Sequence, residues 1–184
     1  AKKNQILCDF SPDYSLISNS VIQLMKESFD RKKLDVKILF ILRNPVERQW
    51  SGATYSVKNS FNNGSLEKIK HEAVNIVFNK IHNDFSDFKN IITNIEKNFT
   101  KDKILYLFHE DILKNPHNLL EKTFAFNNFK YEKTSYIDIN IPINRSPEIE
   151  IPGEIRNKLI DYHLKDFDWY KNRFGNRVDK WFKK

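Results

Sequence analysis

The pattern of apolar and polar residues along the chain predicts short buried strands that alternate with amphipathic helices. Residues 5–8, 37–42 and 103–108 are short apolar runs between polar segments, as is typical of strands. Each run is followed by apolar residues at helical spacing, which indicates parallel strands joined by crossover helices. We therefore predict an α/β fold, a mostly parallel sheet with helices on both faces.

Helical patterns fill most of the chain between these runs. Helices are predicted at residues 20–29, from residue 45 to about 58, and from about residue 66, whereas polar segments at 59–65 and 129–147 predict loops. A further helix is expected to carry an apolar stripe that we assign to the core, made of Phe85, Phe88, Ile91, Ile92, Ile95 and Phe99.

After the third run, proline and glycine mark where helices begin and end. Asn115 and Pro116 give the cap-plus-proline pattern of a helix start, and the inward side of this helix is expected to contain Leu119, Leu120 and Phe124. Two more helices are predicted at residues 154–163 and 166–174, the second ending at Gly175. Because no internal repeat or linker interrupts this series, we expect residues 1–184 to form a single domain.

The junction after the second run has the chemistry of an anion site. Arg43 ends the predicted strand, Asn44 can cap the next helix, and Pro45 suits its first position. Free backbone N–H groups and the positive end of the helix dipole would face the crevice there, together with the charge of Arg43. Helical spacing places three further polar side chains on the same face as Asn44, namely Arg48, Ser51 and Tyr55.

These residues carry a resemblance to a known family. The stretch of residues 42–51 resembles the motif of sulfotransferases that use 3′-phosphoadenosine 5′-phosphosulfate, in which an Arg ends a strand and a Ser follows eight positions later. Other segments resemble the same family in the same order, namely residues 9–14, 105–112, 115–116, 152–159 and 174–181. The resemblance implies a three-layer sandwich like that of P-loop NTPases.

The resemblance also implies which residues contact the donor. Arg43 and Ser51 occupy the positions that bind its 3′-phosphate, and Arg145 lies where relatives carry a flexible basic segment over the donor, with Asn144 a weaker candidate. Alternatives remain open: Arg145 can be an exposed loop residue, and the Ser51 hydroxyl can bond a backbone carbonyl one turn back.

Arg48 and Trp50, which lie near these residues in the chain, also have both a ligand-binding and a structural interpretation. Arg48 can reach the crevice or form a salt bridge with Glu47 or Asp13. Trp50 can stack on an adenine, although a large apolar side chain beside a sheet is more often part of the core.

One part of the family's pattern is absent from the chain. The loop for the 5′-phosphosulfate should lie upstream of Asp9, yet none of the four glycines lies in a Gly-rich turn after a strand. We therefore interpret the chain as roughly the last two-thirds of a sulfotransferase domain, and expect the phosphosulfate Lys and the catalytic base in the part that is missing. Without that part, three sets of strand residues would lie exposed, namely Ile6 and Leu7, then Ile38, Phe40 and Leu42, and finally Ile104, Tyr106 and Phe108.

Composition adds few constraints. The chain has 184 residues and a formal net charge of +7, which we attribute mainly to a solvated, Lys-rich surface. The single cysteine, Cys8, excludes an internal disulfide and is expected to be buried. The five histidines show no metal-ligand spacing, so no metal is expected. His109, Glu110 and Asp111 invite an acid–base role, but the resemblance implies an architectural one, and Asp9 is likewise interpreted as structural.

The expected function is sulfuryl transfer from 3′-phosphoadenosine 5′-phosphosulfate to a hydroxyl or amine of a small molecule, a carbohydrate or another acceptor. The alternative is a non-catalytic nucleotide-binding or interaction module that keeps only the 3′-phosphate half of the site. Nucleic-acid binding is disfavoured because acidic residues alternate with the basic residues along the chain and no basic motif is present. No apolar run is long enough to span a membrane and no signal-peptide core is visible, so a cytoplasmic location is the default.

Overall fold

Two parallel strands form the sheet of this protein, for which a computed structural model describes residues 7–60, 64–132, 139 and 149–183. Strand β1 (Ile38–Leu42) pairs with β2 (Ile104–Phe108) in a register that places Leu42 opposite Phe108. The second and third predicted strands are therefore confirmed, each starting one residue later than expected. Because the pairing is parallel, both strands end at the same edge of the sheet.

The first predicted strand is not formed by its described residues. Leu7 and Cys8 lie outside any strand, and both are exposed. The prediction that Cys8 is buried is therefore wrong. An apolar run becomes a strand only where a neighbouring strand accepts its backbone hydrogen bonds, and the described residues offer it none.

Helices surround this small sheet. They are α1 (Asn19–Arg31), α2 (Pro45–Ser60), α3 (Leu66–Ile76), α4 (Lys80–Ser86), α5 (Phe88–Asn98), α6 (His109–Lys114), α7 (Pro116–Phe126), α8 (Gly153–Leu164) and α9 (Phe167–Phe174). Short 3₁₀ segments cover Pro12–Leu16, Lys101–Lys103 and Gly175–Val178. Within the described ranges, no helix combines the length and apolar character that a membrane crossing requires.

The apolar stripe that we expected on one helix is divided between two. Helix α4 ends at Ser86 and α5 begins at Phe88, with a break at Asp87. The Asp87 carboxylate accepts a hydrogen bond of 3.1 Å from the backbone N–H of Asn90, so it caps the new helix. The core assignment still holds for the α5 part of the stripe, where the buried residues are Phe88, Ile91, Ile92 and Ile95.

The core lies between the sheet, helix α2 and the C-terminal segment. One side of α2 contributes Val46, Trp50, Ala53 and Val57. Trp50 is only 3% exposed, and its indole N–H donates to the carbonyl of Ile149 at 2.7 Å. Trp50 is therefore a core residue, and it is not available to stack on a nucleotide.

We expected the face of β1 that carries Ile38, Phe40 and Leu42 to be exposed, but the opposite face is the exposed one. Leu39 and Ile41 are 41% and 49% exposed, whereas Leu42 is fully buried. Phe40 packs edge-on against Phe88 and Tyr106, at ring-centroid distances of 5.9 and 6.3 Å. The prediction was wrong because α5 covers the face that we expected to be open.

Helix α7 begins at Pro116 as predicted, with the Asn115 side chain accepting a hydrogen bond of 3.1 Å from the N–H of Asn118. Its packing is looser than predicted. Leu119 and Leu120 are half-buried, but Phe124 is exposed, so the expectation that all three face inward is wrong for Phe124.

Candidate functional site

The carboxyl edge of the sheet brings two polar residues side by side. Because Leu42 pairs with Phe108, the next residues, Arg43 and His109, are neighbours at the point where the two strands end. Helix α2 starts two residues beyond Arg43, at Pro45. The side-chain oxygen of Asn44 accepts a hydrogen bond of 2.9 Å from the N–H of Val46, which confirms the predicted cap and proline start. The positive end of the α2 dipole therefore lies beside Arg43.

Arg43 is half-buried and lacks a counter-ion within the described residues. Two acids whose charges act on Arg43 are bonded to other groups: Glu47 accepts from the Arg156 guanidinium at 2.8 Å, and Oε1 of Glu110 accepts from the Trp181 indole at 2.9 Å, whereas Oε2 of Glu110 is buried without a hydrogen-bond partner. Burial lowers the pKa of Arg43, and the negative charges of Glu47 and Glu110 oppose that shift. A desolvated guanidinium that forms no ion pair with these acids is suited to binding an anion.

Trp181 ties together the segments that follow the two strands. Its indole N–H donates to Glu110, directly after β2, and its carbonyl accepts a hydrogen bond of 3.4 Å from the Asn44 side chain, directly after β1. Arg177, close by in the chain, donates to Asp111 at 2.7 Å. The acids after β2 thus have the architectural contacts that the resemblance implied.

His109 has no acid partner among the described residues. Burial lowers its pKa and the positive charge of Arg43 lowers it further, while Glu110 opposes both. The imidazole is therefore kept neutral at the edge of the sheet. Asp9, the other candidate acid, is exposed and accepts a hydrogen bond of 2.5 Å from the Tyr14 hydroxyl, but the described residues before it do not form the strand at whose end it was expected.

Ser51 lies two turns into α2 and is half-buried. Its hydroxyl makes no hydrogen bond within the described part of the chain, so the bond to a carbonyl one turn back, left open by the sequence, is not formed. Its own carbonyl accepts from the Thr54 hydroxyl at 3.1 Å. The Ser51 hydroxyl is therefore available to a ligand on the face of α2 that carries Arg48.

Sequence analysis missed a buried polar cluster behind this face. Gln49 is fully buried, and its amide nitrogen donates to the Val77 carbonyl at 2.8 Å and to the Asn83 side chain at 2.6 Å. Its amide oxygen lies 2.7 Å from Nε2 of His163 on α8. The sequence signal that could have predicted this cluster is the polar Gln49 within the apolar stripe of α2. The cluster holds α2 against two other parts of the chain.

Arg145 and Asn144 lie outside the described residues. Across the ranges that the structure describes, no group of three or more His, Cys, Asp or Glu side chains is placed to hold a metal ion.

Comparison with known proteins shows the family of this chain. The sulfotransferase domain family matches residues 14–145. The chain belongs to the sulfotransferase domain family. The matched residues of this sulfotransferase domain include Arg43 and Ser51, whose roles stay predictions.

A solved structure shows the fold. A sulfotransferase from Alicyclobacillus acidocaldarius has a TM-score of 0.65 and 16% sequence identity, with 92% of this chain and 65% of that chain covered. The α/β sulfotransferase fold that we predicted is thereby confirmed, and this chain spans 65% of the length of the solved protein. No curated protein matches the chain.

Proposed function

We propose that the protein transfers a sulfuryl group from 3′-phosphoadenosine 5′-phosphosulfate to a hydroxyl or amine acceptor. The observation that supports this most directly is the Arg43 guanidinium, which lacks an ion-pair partner among the described residues and lies beside the amino end of α2 in a sulfotransferase domain. The family match also favours transfer over a module that only binds the nucleotide.

Arg43 and Ser51 would hold the 3′-phosphate of the donor. A guanidinium can give two parallel N–H···O bonds to a phosphate, and a serine hydroxyl can donate a third bond to another oxygen. The amino end of α2 adds its dipole. Arg145 remains part of this proposal as a further donor contact.

The reaction is an in-line displacement at sulfur. The acceptor oxygen or nitrogen forms a bond to sulfur as its proton passes to a base, and the bond from sulfur to the bridging oxygen breaks. The electron pair stays on that oxygen, which leaves as part of 3′,5′-bisphosphoadenosine. Positive groups lower the barrier by stabilising the charge that builds on the leaving phosphate. The resemblance implies that one of these positive groups is the lysine of the phosphosulfate loop. We assign neither that lysine nor the base to a described residue.

Calorimetry with 3′,5′-bisphosphoadenosine tests the assignment of Arg43 in the protein that carries this chain. The Arg43→Ala substitution should weaken binding at least about tenfold, because a charge-assisted bidentate contact contributes on the order of 1.5–3 kcal/mol. Adenosine 5′-phosphate should bind both proteins alike, since it lacks the 3′-phosphate. The exposed Arg31, at the end of α1, provides the matched control Arg31→Ala. Equal bisphosphate affinity in parent and Arg43→Ala would contradict the assignment.

An assay for the transfer of labelled sulfate distinguishes the two candidate functions, a transferase and a module that only binds the nucleotide. The protein should move label from 3′-phosphoadenosine 5′-phosphosulfate to a phenol, amine or sugar acceptor in a screen of such compounds. Bisphosphate binding that depends on Arg43, without transfer to any class of acceptor, would instead support the non-catalytic module.

A further inference from the structure

Arg48 has a position on α2 that the proposed function does not yet use. Its guanidinium carbon lies 4.9 Å from the ring centre of Phe85, over the face of that ring. A methyl group added at Gly52 would lie 2.7 Å from Nη1 of Arg48 and 3.2 Å from Nδ1 of His82. The guanidinium therefore rests directly on the helix backbone at Gly52, between an aromatic ring and an imidazole.

No carboxylate neutralises this guanidinium within the described residues. The salt bridge to Glu47 that the sequence left open is not formed, because Glu47 bonds Arg156. Asp13, the other candidate, makes no ion pair with it either. Burial lowers the pKa of Arg48, and the positive charge of Arg43 lowers it further. Burial lowers the pKa of His82, and the positive charge of Arg48 lowers it further, which keeps that imidazole neutral.

Two half-buried cations that repel each other are an unfavourable arrangement unless an anion joins them. Taking a charge out of water is costly when no opposite charge compensates it. The stacking on Phe85 recovers only part of this cost. A ligand with two negative charges would offset the rest, since it could bind both guanidinium groups.

The position of Arg48 along α2 fits such a ligand. Arg48 follows the cap residue Asn44 by one turn, and its backbone N–H donates to the Asn44 carbonyl at 2.8 Å. Its guanidinium extends to Gly52, the residue next to Ser51. Arg48 thus lies on α2 between Arg43 and Ser51, and its guanidinium extends toward the turn that contains Ser51 and Gly52.

We propose that Arg48 is a second cationic ligand of the anion held by Arg43 and Ser51, and that Gly52 is required because it leaves room for the guanidinium. This inference rests on the proposed function, in which that anion is the 3′-phosphate of the donor. A phosphate dianion then meets two guanidinium groups and a hydroxyl. Gly52 acts as a positioning residue, since it never touches the ligand.

Gly52→Ala tests the position of Arg48 without removing its charge. The added methyl group would collide with the far end of the flexible Arg48 side chain and press on the buried His82 ring, so Nη1 has to move and the ring has to shift by a few tenths of an ångström. Alanine is also the better helix former, which offsets this crowding, so the variant should still melt cooperatively. Its affinity for 3′,5′-bisphosphoadenosine should fall at least about fivefold, and its affinity for adenosine 5′-phosphate should not change.

Arg48→Met tests the charge itself, because methionine keeps an apolar chain against Phe85 and loses the guanidinium. Bisphosphate affinity should fall at least about tenfold. Lys58→Met, an exposed position near the end of the same helix, removes one charge as the matched control and should bind like the parent.

The outcomes separate this inference from the proposed function. Unchanged bisphosphate affinity in both Arg48→Met and Gly52→Ala, with Arg43→Ala impaired, would overturn the role of Arg48 and leave the proposed function standing. Unchanged affinity in Arg43→Ala as well would overturn both. If Arg48→Met and Gly52→Ala raise KM for the acceptor alone, Arg48 contacts the acceptor and the inference is wrong.

Discussion

Acidification should destabilise the protein through one buried histidine. His163 on α8 is 4% exposed, and burial lowers its pKa from 6.5 to about 4, with a further lowering by Lys165 and an opposing effect of Asp166. The Gln49 amide donates to Val77 and Asn83, so its oxygen faces His163 and accepts the hydrogen bond at 2.7 Å. The neutral imidazole therefore carries its proton on Nε2.

The sign and size of the effect follow from these two pKa values. Below pH 6.5 the unfolded chain binds a proton at this histidine and the folded protein does not, so the free energy of unfolding falls as the pH decreases. The loss is about 2 kcal/mol by pH 5 and approaches about 3 kcal/mol near pH 4. Above about pH 7.5 this histidine contributes no pH dependence, because it is neutral in both states.

Urea unfolding at pH 7.5 and pH 5 measures this loss. His163→Gln keeps a donor for Gln49 and cannot titrate, so its stability should fall about 2 kcal/mol less than that of the parent over this interval. Comparing the change with pH, rather than the stability at one pH, removes the packing cost of the substitution. His71→Gln, an exposed position on α3, is the control and should behave like the parent. Equal pH dependence in parent and His163→Gln would refute the argument.

Two other predictions concern stability alone. Gly175→Ala should lower the free energy of unfolding by about 1–3 kcal/mol, because the backbone there has φ +64° and ψ −150°. The control Gly153→Ala, at a helix start, should not destabilise the protein, so similar denaturation midpoints for both variants would contradict this. Trp181→Phe keeps the ring in the core but removes the donor to Glu110, so thermal melting should show a loss of about 1–3 kcal/mol. Adding Glu110→Gln should recover part of that loss, since a buried amide costs less than a buried carboxylate, and a further drop in melting temperature would count against this account.

The strand-to-helix junction was predictable because its rules are local. Arg43, Asn44 and Pro45 each act within a few residues, through the strand end, the cap and the fixed φ of proline. The observed helix start and the hydrogen bond from Val46 to Asn44 confirm that part. Proline and glycine likewise marked the start of α7 at Pro116 and the end of α9 before Gly175.

Features that depend on distant residues could not be predicted. The contact between Gln49 and His163 joins positions that are 114 residues apart, and periodicity carries no information on such pairs. The buried face of β1 depends on α5, which lies well along the chain, so the pattern of Phe40 and Leu39 left the choice of face undetermined. The break at Asp87 was missed because the apolar spacing continues across it, while a single cap residue divides the helix.

The contacts of Trp181 have a consequence for synthesis on the ribosome. Asn44 and Glu110 are translated 137 and 71 residues before Trp181, to which both bond. A nascent chain can form its local helices well before then, yet the segments after the two strands acquire their shared support only once Trp181 is free of the exit tunnel. The segments that carry Arg43 and His109 should therefore reach their final packing only after translation has passed Trp181.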